Sequence, residues 1–268
     1  MATVSGILIE GLLTSAASRG CSREALCRAM GWDIDSLQGE QLAQRFPIED
    51  FGRLWLQVVE QSGDPSIAYK IGEDISVGEM DILGYVMLSS PTLQDALHYL
   101  LRAKRILIDD HLMFVPDGDE LAILYLLAEP TLPGGRYVHE HACAALIRTC
   151  QWLTRTDILP TRIWTTYHAF PAHEDFAETF GVRITTGQRW NACYYRVEDL
   201  TLPLVGANEN IHALHVEALE KQLEQLLTPV RWSMQVKSKL EDAFLKAETP
   251  QLSWVANALG CSERSLQR

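Results

Sequence analysis

The stretch Pro91–Leu127, PTLQDALHYLLRAKRILIDDHLMFVPDGDELAILYLL, changes its apolar period midway, and that change decides the fold class. Pro91 precedes Thr92, whose hydroxyl can cap a helix while Asp95, three residues on, faces the exposed amides. Leu93, Leu97, Leu100, Leu101 and Leu107 then form a core-facing stripe. From His111 the pattern becomes strand-like. His111–Val115 and Leu121–Leu127 flank Pro116-Asp117-Gly118-Asp119, where Asp-Gly can take the positive backbone angles of a tight hairpin. A capped helix running into a hairpin predicts an α+β domain whose sheet is mainly antiparallel.

The helical pattern extends toward the N-terminus. Ile7, Leu8, Leu12 and Leu13 fall at helical spacing and Gly20 supplies a stop; Ser22, followed by Ala25, Leu26, Ala29 and Met30, gives a second short helix closed by Gly31. Phe46-Pro47 marks a boundary before a third apolar stripe at Phe51, Leu54, Trp55, Val58 and Val59. Beyond the hairpin the spacing predicts a helix over Tyr137–Leu153, a strand over Arg162–His168 and a helix over His173–Phe180 ended by Gly181. Strands follow over Val182–Thr186 and Ala192–Val197. The expected fold is α+β: a helical first half, a mainly antiparallel sheet with packed helices, and an all-α C-terminal end. A further helix, Asn210–Leu227, carries Val216, Leu219, Leu223 and Leu226 at heptad spacing. Two heptads suit either packing on the helix's own domain or a dimer contact.

With 268 residues, 47% apolar and 22% charged, the chain can build one sizeable core plus an appendage, which excludes collagenous, disordered and low-complexity classes. There is no run of about eighteen uncharged apolar residues and no secretory leader pattern, so a cytoplasmic protein without a membrane partner is expected. Cys21, Cys27, Cys143, Cys150, Cys193 and Cys261 lie far apart without a C-x-x-C pair, which predicts reduced, mostly buried thiols. The net charge of -12 is uneven: from Leu226 onward six Lys/Arg face four acids, +2, leaving -14 before it. An acidic body does not hold a polyphosphate by charge, whereas a mildly basic end can begin something that does. Two units are expected, 1–227 and 228–268.

The common local markers of dinucleotide, nucleotide, serine-hydrolase and zinc-protease sites are missing, so neither catalytic residues nor cofactors are expected. His139-Glu140-His141 with Cys143 offers metal-ligand types, but residues two apart on a helix point about 200° apart, so the two histidines do not face one ion unaided. No metal is expected there; a small-molecule or metal-dependent enzyme using His139, His141 and Cys143 is the alternative reading. His212 and His215, three apart, share a helix face among acidic neighbours. Arg102 and Arg105, also three apart, can jointly hold a carboxylate or phosphate of a small ligand, or form a solvated face. The strand over Arg162–His168 alternates Ile163, Thr165 and Tyr167 with Trp164, Thr166 and His168, which makes Trp164 and His168 candidates for lining a ligand cavity.

The end of the chain, Pro250–Arg268, reads as a short helix, a glycine turn and the start of a second helix. Leu252, Val255, Ala256 and Leu259 form the inner face of the first, with Ala256 small enough for a close crossing. Gly260 can end it in the left-handed conformation, and Ser262 can cap the next. That is a helix-turn-helix, whose second helix enters the DNA major groove.

The string V-A-x-x-L-G-x-S-x-R-x-L-Q-R, Val255–Arg268, resembles the first helix-turn-helix of AraC-type transcriptional regulators. The preceding residues resemble the arabinose-binding-like companion domain of one branch of that family. Its marks are Asp64-Pro65 leading to Ile71-Gly72, Leu83-Gly84-Tyr85, the helix Ser90-Pro91-Thr92-Leu93 to Ala96-Leu97, Phe180-Gly181-Val182 and Leu200-Thr201-Leu202-Pro203-Leu204. The helical first half leaves too few strands for the double-stranded β-helix sensors of other relatives. The resemblance implies a one-component regulator: an N-terminal domain that senses a small-molecule effector or dimerises, and a C-terminal module of two helix-turn-helix units on promoter DNA. Ser262, Glu263, Arg264, Ser265 and Arg268 occupy the cap and early recognition helix, where Arg264 and Arg268, four apart, would reach bases or phosphates. Family members continue through a linker helix and a second helix-turn-helix, so a chain stopping at Arg268 is expected to be incomplete. A recognition helix of about two turns needs its partners to be stable, and weak DNA binding is expected of this piece.

Overall fold

The computed structural model describes residues 2–33, 42, 44–127, 129, 131–168, 172–226, 239–240, 251–258 and 263. Helices α1 (Gly6–Ser18), α2 (Arg23–Met30) and α3 (Ile48–Ser62) begin it. Ser22 Oγ accepts the Ala25 amide at the start of α2, and Gly31 closes that helix with φ 70°. Two short strands, β1 (Thr3–Ser5) and β2 (Arg45–Pro47), pair antiparallel beside these helices in a half that is otherwise helical, as expected. Arg45 fixes the pair: its Nε donates to Thr3 Oγ1 (2.9 Å) and its Nη1 to the Ile106 carbonyl (2.6 Å).

Helices α4 (Ile67–Glu73) and α5 (Asp81–Ser89) lead to α6 (Leu93–Ala103). The expected cap is present on α6: Thr92 Oγ1 accepts the Asp95 amide (3.3 Å) and Asp95 accepts the Thr92 amide (3.2 Å). The helix then tightens into a 3-10 turn, Lys104–Ile106. In the hairpin of β3 (His111–Asp117) and β4 (Glu120–Leu126), Asp117 lies opposite Glu120, so Gly118-Asp119 is the loop. The positive angle belongs to Gly118 alone (φ 67°), the glycine-first form of two-residue turn.

Helix α7 (Gly135–Thr154) is followed by β5 (Arg162–Trp164), α8 (Ala172–Phe180), β6 (Ile184–Thr185), β7 (Asn191–Arg196), α9 (Val197–Leu200) and α10 (Glu209–Leu226). The sheet order is β3-β4-β7-β5-β6, antiparallel except between β5 and β6, and the α+β architecture is as expected. The strand expected to reach His168 stops at Trp164. There Asn191 Oδ1 accepts the Thr165 hydroxyl (3.0 Å) and the Thr166 amide (2.8 Å), which takes the chain out of the ladder.

Helix α7 forms the middle of the core. One face meets the sheet, where Cys143 Sγ lies 3.4 Å from Cys193 Sγ of β7. Another meets α4 at Gly72, where a Cβ would stand 2.4 Å from the His141 carbonyl oxygen. On the far side of the sheet, Ala122, Leu124, Ala192 and Tyr194 are buried, with Trp164 and Trp190 against them. Cys21, Cys27, Cys143, Cys150 and Cys193 are free and buried; Cys261 lies outside the described residues.

The chain divides into two compact units, residues 1–220 and 221–268, a division inside α10 where the sequence suggested one after it. In the second unit α11 (Leu252–Ala258) buries Val255 and Ala256, whereas Leu252, expected on the same inner face, is exposed. Leu259 and Gly260 lie outside the described residues. Among the described residues no helix is long and apolar enough to cross a membrane.

Candidate ligand-binding cavity

Spacings of three and four along α7 align Val138, His141, Ala142, Ala145, Leu146 and Thr149 on one stripe, and this stripe faces a cavity of about 110 Å³. The end of α6 and the turn after it contribute Leu100, Lys104, Leu107 and Ile108, and the hairpin contributes Leu112 and Tyr125. Leu8, Phe51, Ile75 and Met80 close the helical side. All lining residues belong to the first unit.

The polar members are few. Lys104 Nζ sits 3.7 Å from the centre of the Tyr125 ring, a cation–π geometry, and 3.7 Å from Asp110 Oδ2, beyond hydrogen-bond reach. The Tyr125 hydroxyl donates to the same carboxylate. Neither Lys104 Nζ nor the buried Thr149 Oγ1 has a hydrogen-bond partner. Burial pushes the Lys104 ammonium down to about 8, with Asp110 opposing the shift. Burial, aided by the Lys104 charge, pushes His141 down to about 4. At neutral pH the cavity therefore presents a charged amine and an uncharged imidazole.

Beside the cavity, burial, with the Lys104 and His173 charges adding, holds His139 at about 3. The Glu140 carboxyl is pushed up to about 8 by burial, against the pull of Arg136, whose Nε is 3.3 Å away. The sequence's candidate metal group does not converge. His139 packs near Tyr125 (5.7 Å between ring centres) and Cys143 meets β7, while the His141 ring lies 5.3 Å from that of Trp55. Among the described residues no three His, Cys, Asp or Glu side chains are grouped so as to hold a metal ion.

The four proposed ligand contacts are not brought together. Arg102 is exposed and ion-paired with Glu220 of α10 (2.7 Å), and Arg105 is half-buried away from the cavity lining. The physical reason is helix position: Arg102 stands two residues from Leu100, about 200° around the helix from that lining residue, and its guanidinium is already taken by Glu220. Trp164 lies on the far side of the sheet, 4.9 Å from the Tyr194 ring, and His168 is exposed beyond the end of β5. Lys104 was missed although it left a signal: it stands four residues after Leu100 and three before Leu107, inside the leucine stripe. A lysine on a core-facing stripe is either snorkelling outward or held in the interior, and here it is held.

On α10, His212 and His215 both bond Ser89 Oγ of α5, at 3.3 and 3.1 Å. Of the heptad positions, Leu219 and Leu223 are buried, and Val216 and Leu226 are half-buried; Ile211 and Leu214 are exposed. Of the DNA-contact candidates, Ser262, Arg264, Ser265 and Arg268 lie outside the described residues, and Glu263 is helical and exposed.

The fold is of a kind found in transcription regulators. Residues 20–204 match the family described as the arabinose-binding domain of AraC transcription regulator, N-terminal, and the chain belongs to that family. It is 28% identical to the ornithine utilization regulator of Pseudomonas aeruginosa, over 97% of this chain and 76% of the relative. The crystal structure of the transcriptional regulator CdpR from Pseudomonas aeruginosa shares the fold, with a TM-score of 0.55 at 16% identity over 91% of this chain and 76% of that one. Both relatives are named as regulators rather than enzymes.

Proposed function

We propose that this chain is the effector-sensing and dimerising part of a cytoplasmic one-component regulator. In the complete protein, promoter DNA is read through a C-terminal helix-turn-helix module in which Arg264 and Arg268 reach bases or phosphates and Ser262, Glu263 and Ser265 form the cap and first turn. The observation that carries this reading is the α7 cavity, an apolar site with the Lys104 ammonium on its lining, built, apart from Leu8, from the segment that matches the family. An occupant changes regulation only if it binds one of two dimer or domain arrangements better than the other.

Native mass spectrometry of the purified protein should find a retained small molecule, and that molecule should change the complete regulator's affinity for its upstream DNA several-fold. Arg264→Ala and Arg268→Ala should each weaken that binding by about tenfold or more, since a good base contact is worth about 1–3 kcal/mol. A retained compound that leaves DNA affinity and transcription unaltered would overturn the sensing role. Ornithine, suggested by the name of one relative, is the first compound to test, although no acidic side chain lines the cavity to receive its ammonium groups.

A further inference from the structure

We propose that the α7 cavity selects a small organic monoanion, a carboxylate on an apolar chain of roughly three to five carbons, with Lys104 Nζ as its anchor. The proposal rests on the sensor reading above. Size sets the body: an apolar cavity of about 150 Å³ accepts benzene, and this one is about 110 Å³, so a short chain smaller than an aromatic ring is the upper limit.

Charge sets the class. Lys104 has three donors and is ion-paired at 3.7 Å with Asp110, whose Oδ2 already accepts the Tyr125 hydroxyl; the pair is too long for a good hydrogen bond and leaves donors of the ammonium open. Thr149 Oγ1 is a second buried group on the same lining with nothing to bond. Buried donors are rarely left unmade, because the loss is the full desolvation cost of the group. A carboxylate satisfies Lys104 with a charge-assisted bond, and Thr149 is a second polar group on the lining for an oxygen of the same ligand or a water beside it. A cationic ligand meets no acidic lining residue and is repelled by the ammonium, and a neutral alcohol gains no charge-assisted bond.

The charged and titratable groups around Lys104 are Asp110, Tyr125, His139 and His141. Burial holds the two histidines neutral at pH 7 and keeps the Tyr125 phenol protonated well above it. Lys104 is then the lining group whose charge changes between pH 7 and 9; Glu140, beside the cavity, changes charge in the same range, so the pH series is read in Glu140→Gln as well.

The test is calorimetric titration of the protein with butyrate and valerate, against butanol, butylamine and ornithine. A carboxylate should bind at least tenfold more tightly than the alcohol of matching size. Its affinity should fall about tenfold from pH 7 to 9 in the unaltered protein, while that of the alcohol stays flat. Lys104→Met should remove the carboxylate preference and keep alcohol binding, and the pH series gives the same answer should that variant not fold. If butanol, butylamine or ornithine binds as tightly as the carboxylates, the ligand class is wrong and the sensor reading survives. If none of these probes binds, the class is also wrong, and Ala145→Phe, which fills the cavity, decides the rest: unchanged transcriptional control in that variant removes the sensor reading as well.

Discussion

At Gly72 the packing of two helices is set by a missing methyl group. An added Cβ would stand 2.4 Å from the His141 carbonyl oxygen and 2.9 Å from Ala144 Cβ, and neither is the free end of a flexible side chain. Gly72→Ala must therefore push α4 and α7 apart. A cost of about 1–3 kcal/mol is expected, read as a lower urea midpoint at unchanged slope. Gly78→Ala is the control, since its nearest atom is a serine hydroxyl oxygen at 3.9 Å; equal losses at both sites would refute the close-crossing argument. The Ile71-Gly72 pair stood out in the sequence as part of a resemblance, but its physical reason needed the partner helix. Lys104 repeats the lesson. Its place in the leucine stripe was readable, whereas its being held inside was not, because the Tyr125 ring and the Asp110 carboxylate that hold it come from other parts of the chain that a helical period does not place.

The consecutive residues His139, Glu140 and His141 give α7 a pH dependence of mixed sign. Between pH 4.5 and about 8 the folded chain keeps a proton on Glu140 that the unfolded chain has lost, so this group makes stability fall as pH rises. Between about 4 and 6.5 the unfolded chain binds protons on His139 and His141 that the folded chain refuses, so these groups make stability rise with pH. Below pH 6.5 two imidazoles outweigh one carboxyl; above it Glu140 acts alone until Lys104, depressed from 10.5 to about 8, adds a rise at higher pH. Stability from this helix should peak near pH 6.5 and decline by at most about 2 kcal/mol toward pH 8, the nearby Arg136 reducing the figure. Thermal unfolding across this range checks the claim: Glu140→Gln should abolish the decline above pH 6.5, and a parallel decline in the variant would show that another group is responsible. Helices such as this were readable element by element, since stripes and caps are local: Ser22 and Gly31 bound α2, and Thr92 with Asp95 starts α6. The β1–β2 pair was not, because three-residue strands joined across about forty residues have no period of their own.

For the whole molecule, the heptad on α10 left open whether the helix packs at home or on a second copy. Leu219 is fully buried and His212 and His215 are bonded to Ser89, so that side of the helix is occupied within the chain. Ile211 and Leu214, three apart on the same helix, are 46% and 66% exposed, and they are the apolar residues α10 has left for a partner. The dimer proposed above should use them. Light scattering after size exclusion is expected to give twice 30.1 kDa for the unaltered chain. Leu214→Glu should halve that mass without lowering the unfolding temperature, because an exposed leucine contributes little to its own fold and much to a shared apolar contact. Leu219→Asp should instead unfold the domain, by placing an unpaired charge where no solvent reaches. If Leu214→Glu remains a dimer of unaltered affinity, the contact lies elsewhere on the molecule; if the unaltered chain is monomeric at high micromolar concentration, dimerisation belongs to other parts of the regulator or does not occur.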